Sequence, residues 1–142
     1  MKHTAKIITS LLLIFAMLFC IVSCGGKKPA EGLWASATYT EDTTLGEGSK
    51  TITVEVTAEE KTVVFTVKTD ADTVGAALLE HNLIAGDQGD YGLYVKTVNG
   101  ITADYDKNQT WWGFYVDGAP AAAGVDSTDL VDGSTYGFKV EK

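Results

Sequence analysis

Few side chains in this sequence could act as nucleophiles, general bases or zinc ligands. The chain has two histidines, His3 and His81, and two cysteines, Cys20 and Cys24. Nucleophilic catalysis needs an activated nucleophile with a base in reach, and a zinc site needs several Cys or His ligands at short spacings. Neither a G-x-S-x-G motif nor a phosphate-binding glycine loop is present. The sequence therefore predicts a protein that is not an enzyme and requires no cofactor.

One acidic segment has the spacing of calcium ligands. Asp104, Asp106 and Asn108 occupy positions one, three and five of the pattern that begins an EF-hand loop. The pattern then fails, because Gln109 stands where the loop requires glycine and Tyr115 stands where it requires glutamate. An acidic, solvated loop is the better interpretation, and no metal site is predicted.

Two adjacent tryptophans, Trp111 and Trp112, are the residues most suggestive of ligand recognition. A flat aromatic face can stack on a flat ligand. Neighbouring residues of a strand point to opposite faces of the sheet, so the same core cannot bury both rings. Two interpretations stay open: one tryptophan faces a ligand, or one fills the core while the other covers a sheet edge.

The charge of the chain argues against binding to nucleic acid or to anionic lipid. The net charge is -8, and no residue is an arginine. Nucleic-acid binding depends on a Lys/Arg patch that neutralises phosphates, and adhesion to anionic lipid depends on a basic surface. We therefore expect no nucleic-acid partner and no electrostatic adhesion to a bilayer.

The first 23 residues have the order of a secretion signal. Lys2 and Lys6 precede an apolar run over residues 7–22, which is short for a transmembrane helix of about twenty residues. The run ends in Ile-Val-Ser followed by Cys24, which resembles the bacterial lipobox. That resemblance implies that diacylglycerol alkylates the Cys24 thiol and that Cys24 becomes the mature N-terminus. We therefore expect a lipid-anchored protein at the extracytoplasmic face of the cell membrane.

The remaining chain divides into a tether and one domain. Residues 24–48 are rich in Gly, Lys, Thr, Ser and Glu and predict a flexible tether, with an edge strand near residues 33–39. Residues 49–142 predict the folded domain. Alternating apolar residues over 52–56 and 63–67 predict a β-hairpin, and Asp70 or Asp72 can cap the helix that follows.

Strands then return over residues 93–98, 111–116 and 135–140, with Asn-Gly and Asp-Gly turns between them. This order predicts an α+β fold of β-grasp type, with one helix packed on a mixed sheet of four or five strands.

Several of these segments together resemble a known family. The segments are residues 73–79 (TVGAALL), 91–101 (YGLYVKTVNGI) and 110–118 (TWWGFYVDG), followed by Asp132-Gly133 before the last strand. Their order is similar to that of the C-terminal β-domain of transcobalamin and intrinsic factor, and to bacterial lipoproteins of the DUF4430 family. The resemblance implies a small domain that closes over cobalamin. It assigns ligand contacts to the following positions: Asn108, Thr110, Trp111, Trp112 and Tyr115.

The expected function is capture of a small flat ligand, such as cobalamin or another corrinoid, by a lipoprotein that assists a membrane transporter. The chain lacks the helical domain that supplies most of the binding surface in the vitamin carriers. The alternative is a structural or adhesive surface module, which would hold a protein or glycan partner by a sheet edge or an aromatic patch.

Overall fold

The computed structural model describes residues 30–142. The predicted signal segment, the predicted lipid attachment at Cys24 and residues 24–29 of the predicted tether lie outside the described residues. Within residues 30–142, no helix is long and apolar enough to cross a bilayer.

A mixed six-stranded sheet forms the larger layer. Its strands are β1 (Thr43–Leu45), β2 (Lys50–Ala58), β3 (Lys61–Thr69), β7 (Trp111–Val116), β8 (Ala119–Pro120) and β9 (Thr135–Glu141). They lie in the order β1-β3-β2-β9-β7-β8. β1 lies parallel to β3, and β2 lies parallel to β9, whereas the other neighbours are antiparallel.

Strict alternation explains the centre of this sheet. The predicted hairpin is confirmed, with Val54 opposite Phe65 and Val56 opposite Val63 on the face that points into the core. These side chains are fully buried, while Glu55 and Val64 between them point to the other face.

A second, three-stranded sheet packs over the core face together with a helix. Its strands are β4 (Ile84–Gly89), β5 (Gly92–Val98) and β6 (Ile101–Thr102), in the order β4-β5-β6. Helix α1 (Val74–Glu80) buries Val74, Ala77 and Leu78, as the sequence pattern predicts. The helix cap is Thr73 rather than Asp70 or Asp72, because its side-chain oxygen accepts from the Ala76 N–H.

The α+β class and the mixed sheet are therefore confirmed, but the predicted single sheet of four or five strands is not. The observed fold has a six-stranded sheet and a separate three-stranded sheet. The difference has two sources: β5 pairs with β4 and β6 in a sheet of its own, and the short strands β1 and β8 extend the large sheet. The sequence of β4, Ile-Ala-Gly-Asp-Gln-Gly, has no alternation, and this segment takes its strand conformation from pairing with β5.

Residues 30–48 pack against the domain instead of forming the predicted flexible tether. The predicted edge strand near residues 33–39 begins as a 3-10 helix, Gly32–Ser36, and the edge strand is β1 further along. Trp34 is 3% exposed and donates from Nε1 to the Ala58 carbonyl at 2.9 Å. The buried Asn99 side chain then binds both the N–H and the carbonyl of Tyr39.

Candidate functional site

The two tryptophans occupy opposite faces of β7, as the alternation of a strand requires. Trp112 is 7% exposed and donates from Nε1 to the Ile101 carbonyl of β6 at 3.2 Å. Trp111 is 37% exposed. Trp112 therefore joins the two sheets within the core, and Trp111 is the tryptophan that a ligand can reach.

Trp111 forms one wall of a surface hollow that we call the aromatic cleft, of about 380 Å³. Tyr105 also lines the cleft and contacts Trp111, with its ring centroid 6.1 Å from that of Trp111 and the two planes inclined by 56°. Tyr105 is 55% exposed. The cleft is completed by Asn108, Gln109 and Lys142. The cleft thus combines two partly exposed aromatic rings with two side-chain amides.

A short helix places the residues of this cleft. Helix α2 (Tyr105–Asn108) begins at Asp104, whose side chain accepts from the Asp106 N–H. Gln109 follows in a left-handed conformation at φ +57° and turns the chain into β7. The Asn108 side-chain oxygen accepts from both the N–H and the hydroxyl of Thr110. The structure thus brings together three of the predicted ligand contacts, Asn108, Thr110 and Trp111.

Tyr115 lies outside the aromatic cleft, although it shares the outer face of β7 with Trp111. Its hydroxyl donates to the Glu141 carboxylate at 2.6 Å. This hydrogen bond, together with burial and the negative charge of Glu141, raises the pKa of Tyr115 above its usual value of 10.0. Tyr115 borders a separate hollow of about 210 Å³ over Gly137. The predicted ligand contacts therefore do not form one site.

The acidic segment that has calcium-like spacing uses its oxygens internally. Asp104 caps helix α2 and lies 4.0 Å from the Lys96 ammonium, which also pairs with Asp87 at 2.8 Å. The hydrogen bond to Asp87 is the main cause of a raised pKa at Lys96. Within residues 30–142, no three His, Cys, Asp or Glu side chains are grouped as metal ligands.

A second hollow also borders Trp111, and no pattern in the sequence predicts it. This hollow, which we call the strand groove, has a volume of about 330 Å³. Consecutive residues of β5 and β7 form its long walls, and the loop before Val125 forms its end. The lining residues are Leu93, Tyr94, Val95, Trp111, Trp112, Gly113, Phe114, Ala121, Ala123, Gly124, Val125 and Phe138. Its existence depends on how the two sheets pack, which no local pattern records.

Comparison with known proteins agrees with this architecture. Residues 71–142 match the sequence profile of a family described as a domain of unknown function, DUF4430. A solved structure of a candidate metal-binding protein from Ruminococcus gnavus ATCC 29149 is 35% identical, with a TM-score of 0.63. That match covers 66% of this chain and 98% of the R. gnavus chain. No curated protein matches the chain.

Haptocorrin, solved in complex with cobinamide, is a more distant neighbour. It is 16% identical, with a TM-score of 0.57, over 69% of this chain. The match covers 26% of haptocorrin, so the present chain corresponds to about a quarter of that protein. At this identity the likeness shows a shared fold.

Proposed function

This chain belongs to the DUF4430 family, and from that premise we propose that it is a membrane-tethered extracytoplasmic lipoprotein whose aromatic cleft captures a small flat ligand. The ligand that we favour is a corrinoid, delivered to a membrane transporter. The observation that carries the proposal is the pair of exposed rings, Tyr105 and Trp111, set against the amide side chain of Asn108.

The geometry of the cleft suits a flat molecule with a polar rim. An exposed aromatic ring gains stacking and burial when a planar group covers it, and aromatic contacts of this kind contribute about 0.5–1.5 kcal/mol beyond area burial. Asn108 is exposed, and its side-chain oxygen is already held by Thr110. Its amide nitrogen is therefore oriented and can donate to an acceptor on the ligand rim.

Haptocorrin supports the corrinoid assignment by analogy, because a domain of this fold belongs to a protein that binds cobinamide. The cleft of about 380 Å³ is open and smaller than a corrin ring, so it would cover one part of such a ligand. A single domain is thus expected to bind weakly. A transporter that covers the rest of the ligand would complete the site.

The lipid anchor would hold this cleft close to the membrane. Since Ala30 and the residues after it belong to the folded domain, only five residues, 25–29, lie between Cys24 and Ala30. The six steps from Cys24 to Ala30 span at most about 22 Å when fully extended. A domain held this near the bilayer is well placed to pass a ligand to a membrane protein.

Calorimetric titration of the full chain in a nonionic detergent, with cobinamide and with cobalamin, tests the proposal. Trp111→Ala and Tyr105→Ala should weaken binding by about tenfold each, which corresponds to about 1.4 kcal/mol. Tyr91→Ala is the matched control, because Tyr91 is 97% exposed and lies outside the cleft. Absence of heat with both ligands at millimolar concentration would refute corrinoid capture, and an equal loss in Tyr91→Ala would refute the cleft.

A further inference from the structure

The strand groove is bordered by β7, and one edge of this strand is only partly paired. β9 pairs with the whole of β7, from Trp111 to Val116. On the other side, β8 pairs only with Tyr115 and Val116. The edge from Trp111 to Phe114 therefore faces the groove without a paired strand beside it.

The direction of the backbone groups on this edge follows from two hydrogen bonds. The Phe114 carbonyl accepts from the Ala121 N–H at 3.0 Å, on the side of β8, whereas the Asp117 N–H donates to Thr135 on the side of the last strand. Backbone groups of alternate residues in a strand point to the same side. The N–H and the carbonyl of Trp112 therefore point into the groove, as does the N–H of Phe114. These groups can pair with an added strand.

The opposite wall of the groove is an edge of β5, which belongs to the other sheet. The Leu93 N–H donates to the Asp126 carboxylate at 2.9 Å rather than to β4, so this side of the strand also faces away from its partner. Between the two edges lie Val95, Phe114 and Phe138, which form apolar walls. An occupant must therefore combine backbone hydrogen bonds with apolar side chains, and an extended peptide does both.

The negative charge of the domain also limits which peptides can bind in the groove. Residues 30–142 contain nineteen acidic residues and seven lysines. Asp90 lies at the mouth, in a hollow that shares Ala123 and Gly124 with the groove. A peptide with basic residues beside its apolar segment complements this surface, whereas an acidic one is repelled.

We propose that the strand groove binds an extended apolar segment with basic flanks from a partner protein, which adds as a strand to the free edge of β7. This site differs from the aromatic cleft, with which it shares only Trp111. The lipoprotein therefore has one surface for a ligand and another for the protein that it serves.

Fluorescence polarisation of the full chain in nonionic detergent tests this site with the labelled peptide KKVTVTVKK. We expect saturable binding that weakens by at least about tenfold when alternate amides of the peptide are N-methylated, because those amides can no longer pair with a strand edge. The acidic peptide EEVTVTVEE should bind weakly. No binding of KKVTVTVKK at millimolar concentration, or equal binding of its N-methylated form or of the acidic peptide, would overturn the proposal.

Two exposed alanines offer matched variants. Ala123 lines the groove, and Ala76 lies on the exposed side of α1, away from it. Ala123→Trp should fill the groove and reduce binding of KKVTVTVKK at least about tenfold, while Ala76→Trp should leave it unchanged. Unchanged binding in Ala123→Trp would overturn the placement in the groove. Tyr105→Ala, which tests the aromatic cleft, should not change peptide binding, so the two proposals can fail independently.

Discussion

Replacement of Trp34 by alanine should strongly destabilise the domain, because this residue belongs to the core rather than to a tether. Its ring is 3% exposed, its Nε1 donates to the Ala58 carbonyl at 2.9 Å, and the Lys61 ammonium lies 4.7 Å from the ring centroid. A flexible segment would expose all three groups to water.

The magnitude follows from these contacts. A buried tryptophan removes up to about 250 Å² from water, which corresponds to an upper limit of about 6 kcal/mol at 25 cal/mol per Å². Measured losses for Trp→Ala in cores are about 3–5 kcal/mol. Since Trp34 lies at the margin of the core, where neighbours can relax, we expect a loss of about 3–4 kcal/mol in the free energy of unfolding. Trp34→Phe keeps most of the apolar area but removes the Nε1 hydrogen bond to the Ala58 carbonyl, at a cost of about 0.5–1.5 kcal/mol.

Urea unfolding of the full chain in nonionic detergent, followed by circular dichroism, measures both variants. A loss below about 1 kcal/mol in Trp34→Ala would mean that residues 30–48 are not part of the cooperative unit. The distance between Cys24 and the folded domain would then also be longer, because the free tether would continue to about residue 48.

Three further outcomes can be measured. Cys24→Ser should move the protein from the detergent phase to the aqueous phase on detergent partitioning, and retention with detergent would contradict lipidation. Asn99→Ala should lower the free energy of unfolding by about 2–4 kcal/mol, because both backbone groups of Tyr39 lose their partner, and a loss under about 1 kcal/mol would contradict this. The Tyr115 pKa is raised in the folded protein, so the hydrogen bond to Glu141 stabilises the fold fully below pH 10 and this stabilisation is lost as the pH rises through the raised pKa. The stability difference between Tyr115→Phe and the parent should therefore shrink above pH 10, and a constant difference would refute the assignment.

The sequence predicted best the elements whose own side chains determine their structure. In the hairpin of β2 and β3, every second residue is buried from Ile52 to Ala58 and from Val63 to Thr69, and helix α1 has an apolar stripe at Val74, Ala77 and Leu78. The alternation in β7 likewise required that one tryptophan be exposed. Each of these predictions depends on local periodicity, which tertiary packing did not override.

Other features depend on contacts between distant residues. The segment around Trp34 has the composition of a linker, yet one buried ring and a hydrogen bond to residue 58 hold it on the domain. Tyr105 carries no signal that would distinguish it from a surface tyrosine until helix α2 places it against Trp111. The strand groove arises only where β5 and β7 approach from separate sheets.

The adjacent tryptophans explain why both proposed surfaces meet at one strand. Trp112 is buried and connects β7 to β6 through its hydrogen bond to the Ile101 carbonyl, and it also lines the strand groove. Trp111, on the opposite face, is thereby held beside Tyr105. Because side chains alternate along a strand, two neighbouring residues of the same type can perform these two tasks, one structural and one exposed. Trp111 also lines the strand groove, so the two proposed surfaces meet at this residue, whereas Tyr105 belongs to the aromatic cleft alone.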